Sequence, residues 1–119
     1  MQEEARSVTR KIDSSDAVNG AFAVEESRNG STVRLYLRGE LDMATRARVE
    51  SALIRAEDSG ASVIELDLGG LTFMDSSGVH LALDSRNRSR EKGHSLVLFG
   101  GSEAVRRVFE LTGTAQLFR

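Results

Sequence analysis

The sequence predicts an α/β domain: a mixed, mostly parallel β-sheet with an N-terminal antiparallel hairpin and packed α-helices. Three observations carry this. After two opening strand patterns, runs with helical spacing alternate with short apolar runs in the order β-β-α-β-α-β-α-β, which implies crossover connections and a largely parallel sheet. Asn29-Gly30 lies between the two opening patterns and is a strong hairpin signal, so that pair should be antiparallel. Val63-Ile64-Glu65-Leu66-Asp67-Leu68 is β-branched and apolar-rich, is bounded by Gly69-Gly70, and reads as an interior strand.

Taken in order, residues 1–20 are polar, mixed in charge and without a persistent apolar period. They are expected to form a flexible N-terminal arm, with docking on a partner or pairing with the sheet as the alternative. The domain proper is expected over residues 21–119. Phe22 and Val24 alternate with smaller or charged neighbours, and Val33, Leu35 and Leu37 alternate with Arg34, Tyr36 and Arg38, giving strands over 22–26 and 32–41. Val49, Ala52, Leu53 and Ala56 fall at i, i+3, i+4 and i+7 of a helix over 43–57, with Asp42 or Thr45 as its cap and Gly60 beyond its end.

After the strand at 63–68, a second short extended piece at 71–74 leads into Asp75-Ser76-Ser77-Gly78. A helix over 77–92 follows, with an apolar first half (Val79, Ala82, Leu83) and a solvated, basic second half carrying Arg86, Arg88, Arg90 and Lys92. Residues 96–99 form another strand, closed by Gly100-Gly101. Ser102 caps a last helix with Val105, Val108, Phe109 and Thr112 on one face and Gly113 after it, and residues 115–118 complete the pattern as a short strand.

Composition excludes several function classes. The 119 residues fit one domain with a sizeable core. With no cysteine, disulfides and cysteine-based zinc sites are ruled out, and two histidines make a poor basis for a structural metal. A net charge of −2 argues against a dedicated nucleic-acid or membrane-surface binder. The apolar runs are far too short to span a bilayer, and the start Met1-Gln2-Glu3-Glu4 has no apolar signal core, so the expected location is cytoplasmic. Aspartate and glutamate dilute the basic helix half, which reads as a solvated face. Neither glycine pair precedes Lys-Ser or Lys-Thr, so both read as turns with no nucleotide site. No cofactor is expected.

Asp75-Ser76-Ser77-Gly78 admits three readings. Asp and Ser are favoured helix caps. Ser76, His80 and Asp84 recur four apart, as a nucleophilic line would, but three groups in a row on one helix cannot surround a substrate, and the Gly-x-Ser-x-Gly elbow is absent. The third reading is a phosphorylation switch: a helix N-terminus tolerates a phosphate, while a partner that buries the neutral serine does not.

The ordered motifs resemble those of the STAS-domain anti-sigma factor antagonists, the bacterial anti-anti-sigma factors. The resemblance rests on Leu37-x-Gly39-Glu40-Leu41-Asp42, on Val63 to Leu68, and on Leu71-Thr72-Phe73-Met74-Asp75-Ser76-Ser77-Gly78. It continues through Gly93-x-x-Leu96 and Val105-x-x-Val108-Phe109-x-Leu111-Thr112-Gly113, covering about residues 22–118.

The resemblance implies the STAS fold and a protein that is a ligand and kinase substrate, with no catalysis or small-molecule substrate of its own. The unphosphorylated form binds an anti-sigma factor with serine kinase activity and frees the sigma factor. Phosphorylation of Ser76 breaks the complex, and a serine phosphatase restores it. Asp42, Asp75, Ser76, Ser77 and Gly78 are the implied partner-binding residues, Gly78 by letting the kinase site come near. The alternative is an STAS scaffold or accessory subunit of a stress-signalling or membrane transport assembly. His80 departs from the family pattern, which carries a small or apolar residue there. It is expected to be solvated, and to bear on which kinase fits.

Overall fold

The computed structural model describes residues 8–14 and 22–118. Its elements are β1 (Val8–Ser14), β2 (Ala23–Asn29), β3 (Thr32–Leu41), α1 (Arg46–Asp58), β4 (Val63–Met74), α2 (Ser76–Lys92), β5 (Ser95–Phe99), α3 (Glu103–Leu111) and a 3₁₀ turn, Ala115–Leu117. One five-stranded sheet runs in the order β1-β2-β3-β4-β5. β1 and β3 each run antiparallel to β2, and β3, β4 and β5 are parallel.

Alternation along the strands decides what the sheet covers. Val33, Leu35 and Leu37 of β3 and Ile64, Leu66 and Leu68 of β4 are buried and form a single core with Val49, Leu53, Val79, Leu81, Val105 and Phe109 of the three helices. The intervening Arg34, Tyr36, Glu65 and Asp67 occupy the other, half-exposed face. There Arg34 donates to Glu65 at 2.8 Å and lies 4.6 Å from the centre of the Phe99 ring. The Glu65 hydrogen bond is the main reason the Arg34 pKa is raised.

Five expectations need correction. Residues 8–14 are not a loose arm: they pair with β2 from Val8↔Arg28 to Ser14↔Ala23, with an irregularity between Lys11 and Asp13. The outer edge of β2 offers unpaired backbone groups, and pairing satisfies them without any need for clean side-chain alternation. The rest of the expected arm lies outside the described residues.

The second and third corrections concern helix and strand limits. α1 begins at Arg46, because Asp42 draws residues 43–45 into turns by accepting from the Ala44 and Thr45 amides at 2.9 and 3.2 Å. The extended pieces at 63–68 and 71–74 are one strand. Gly69-Gly70 is no turn: Tyr36↔Asp67 is followed by Arg38↔Gly70, a bulge in β4. A Cβ on Gly70 would lie 2.6 Å from the Leu37 carbonyl oxygen, which explains the glycine.

Fourth, the end of the chain pattern at 115–118 is a 3₁₀ turn, with one parallel bridge, Leu98↔Phe118, in place of a strand. Fifth, the second half of α2 is solvated on one side only: Asn87, Arg90, Glu91 and Lys92 are exposed, but the other side is packed. Ser85 and Ser89 are fully buried, and Arg88 turns toward α1. The hairpin is as expected, with Asn29↔Thr32 closing it and Gly30, at φ 64°, taking the first loop position.

Candidate functional site: the acidic end of two parallel strands

The register of β3 on β4 creates the site. Leu41 and Met74, the last residues of their strands, are paired, so Asp42 and Asp75 leave the same end of the sheet side by side. The Asp75 amide donates to the Leu41 carbonyl at 3.3 Å and ties the two exits together. Asp75 is extended (φ −107°, ψ −167°), and its Oδ1 accepts from the Ser77 amide at 2.8 Å. That is an N-cap: a carboxylate at the positive end of the helix takes one of the amides that has no intrahelical partner.

The cap orients the next three residues differently. Ser76, the first helical residue, is exposed, and its hydroxyl has no hydrogen-bond partner among the described residues. Ser77 is 7% exposed and Gly78 is buried. A Cβ on Gly78 would lie 2.5 Å from Met74 Sδ and 3.2 Å from a Leu41 methyl carbon. Gly78 therefore lets α2 approach the strand ends. Ser77 and Gly78 are thus buried beneath Ser76 and help to set its position.

Asp42 is partly exposed and structured by its own turn. Thr45 Oγ1 donates to the Glu40 carbonyl at 2.8 Å and accepts from the Asp42 amide at 3.0 Å. Neither Asp42 nor Asp75 has an ion-pair partner among the described residues, so this end of the sheet carries uncompensated negative charge. Two apolar side chains that sequence reasoning missed lie beside the acids. Met43 is 84% exposed and Phe73 47%. Phe73 is opposite Glu40, one residue before the paired strand ends. The only sequence signal was an apolar residue placed inside a polar turn after Asp42.

The serine–histidine–aspartate line does not assemble as a relay. His80 is exposed with no partner among the described residues, and Asp84 is engaged by Arg46 from α1 at 3.0 Å. The basic half of α2 is similarly occupied: Arg88 meets Glu57 at 2.7 Å, and Lys92 meets Asp58 at 2.8 Å. Among the described residues no three metal-ligating side chains converge, and no helix is long and apolar enough to cross a membrane. A depression of about 430 Å³ lined by Ser27, Asn29, Thr32, Arg34, Tyr36 and Glu65 lies on the sheet's other face, toward the opposite end of β3 from Asp42.

Residues 23–119 match the sequence pattern of the STAS domain. The chain belongs to the STAS domain family. An anti-sigma-B factor antagonist of Listeria monocytogenes is 29% identical over 100 residues, covering 84% of this chain and 87% of that protein. Among solved structures, the anti-sigma factor antagonist SpoIIAA in its unphosphorylated form is 31% identical with a TM-score of 0.72, covering 83% of this STAS domain chain and 86% of that one. The Bacillus cell fate determinant SpoIIAA in its phosphorylated form is 30% identical with a TM-score of 0.65, covering 83% and 89%.

Proposed function

We infer that this STAS domain is an anti-sigma factor antagonist whose binding face is the Asp42–Ser76 end of the sheet, and that phosphorylation of Ser76 switches the binding off. The observation that carries the reading is the placement of Ser76: an exposed, unpartnered hydroxyl on the first residue of α2, between two acidic turns. Its support from relatives is that SpoIIAA has been solved both with and without phosphate. The partner is an anti-sigma factor with serine kinase activity, opposed by a serine phosphatase, and the exchange takes place in the cytoplasm. Met43 and Phe73 supply apolar area that a partner gains by burying, since contacts of this kind dominate binding energy while polar rims contribute less.

A phosphate adds about −1.5 to −2 charges next to Asp42 and Asp75. The helix N-terminus accommodates that charge, but a partner seated on Met43, Phe73 and the neutral serine must strip it of water. Desolvating an unpaired charge at an interface commonly costs a few kcal/mol, and each 1.4 kcal/mol is about tenfold in affinity. Calorimetry against the anti-sigma kinases of the source organism tests this. Ser76→Ala should bind with and without Mg-ATP, wild type should be released once ATP is added, and Ser76→Glu should bind at least about tenfold more weakly than Ser76→Ala. Tandem mass spectrometry should place one phosphate on Ser76. Equal binding by Ser76→Glu and Ser76→Ala, or phosphate mainly on Ser77, overturns the reading and leaves the scaffold role in its place.

A further inference from the structure

We propose that His80 is a built-in counterion for a phosphate on Ser76, seated one helical turn away on the same exposed face of α2. The inference rests on the reading of Ser76 as the modified residue. Residues four apart on a helix have Cβ atoms roughly 5–6 Å apart, within reach of a phosphoserine and an imidazolium. Both side chains are exposed, and neither has a partner among the described residues, so both are available to each other.

The charges around His80 leave it this role. Asp84, its neighbour on the following turn, is held by Arg46 of α1. Glu50 and Glu57 of α1 are engaged by Arg88, and Asp75 spends Oδ1 on the Ser77 amide. Among the described residues no ion pair or hydrogen bond joins a charged group of α1, α3 or β5 to His80. Across the strand ends, a phosphate on Ser76 would meet the carboxylates of Asp42 and Asp75. His80 is the neighbouring side chain on its own helix face that can carry positive charge and donate from its ring to a phosphate oxygen. A histidine here gives the phosphorylated state an internal pairing that is absent from the unphosphorylated one. It thereby favours retention of the phosphate.

The test uses the full chain with phosphoserine encoded at position 76 during translation, so that no kinase is involved. Phosphorus NMR follows the second ionisation of the phosphate against pH in the wild-type background and in His80→Gln and His80→Lys. The wild-type midpoint should lie about 0.3–0.7 pH unit below that of His80→Gln, and His80→Lys should restore the lower value. A midpoint that is the same in wild type and His80→Gln overturns the proposal, because the helix N-terminus alone would then set it. So does a depression in His80→Gln equal to that in His80→Lys. Neither result bears on whether a kinase selects Ser76, which the binding and mass-spectrometry measurements decide separately.

Discussion

One methyl group added at Gly78 would press on Met74 and Leu41, the paired residues from which both acidic turns depart. Overpacking of this kind typically costs about 1–3 kcal/mol, and the better helix propensity of alanine returns about 1 kcal/mol at most. Gly78→Ala should therefore lower stability by about 1–2 kcal/mol, read as a lower urea midpoint with an unchanged slope. An unchanged midpoint would mean that Met74 swings aside freely and that α2 need not approach so closely. At this scale the sequence was partly legible. A cap within Asp75-Ser76-Ser77 follows from local chemistry, but the sequence left open which residue caps, and it is Asp75, one residue earlier than a helix starting at Ser77 requires. Met43 and Phe73 did not stand out, because an apolar residue reads as core until the strand ends are placed and their exposure is seen. Gly78 was legible as a site of close approach, but what approaches it is the strand end beneath α2.

Helices α1 and α2 are joined by a buried acid. The Glu57 side chain is 0% exposed, accepts from the Ser85 hydroxyl at 2.8 Å, and is held by Arg88 at 2.7 and 3.2 Å. Those hydrogen bonds are the main reason the Arg88 pKa is raised, so this cation persists at every pH the fold will meet. Removing Arg88 leaves the buried Glu57 carboxylate without its cation, while Arg88, a quarter exposed and 3.4 Å from Glu50 as well, keeps a partner when Glu57 is removed. Arg88→Ala should cost about 3 kcal/mol, with much of that loss relieved in a double-mutant cycle with Glu57→Ala. Additive losses in chemical denaturation would show that the two side chains do not depend on each other. The basic run on α2 read as solvent-facing because its partners are 31 or more residues away in sequence. The same kind of blindness hid β1. Its pairing is a property of the open edge of β2, and Arg10, Lys11 and Asp13 break the alternation by which strands are recognised. By contrast, α1, α2 and β5 show their periods or caps locally and were legible to within a few residues.

For the whole molecule, the site lies on the rim and the core does not reach it. Leu41 and Met74 are buried beneath the site, while Ser76 faces water at the start of a 17-residue helix. A charge there gains roughly 0.3–1 kcal/mol from the helix N-terminus at an exposed position. Phosphorylated protein should thus melt within a few degrees of the unmodified form, or slightly above it, by calorimetric scanning. A fall of ten degrees or so would show that the phosphate disrupts packing and that the switch unfolds the domain. The parallel pairing of β3 with β4 has one more effect, felt during synthesis. Asp42 is translated well before Ser76, and the two are brought together only when the later strand docks beside the earlier one. A partner that reads both turns is in effect inspecting the finished product. Nascent chains that stop short of β4 and proteolytic halves carry one turn without the other, so on the proposed reading they would not compete for such a partner.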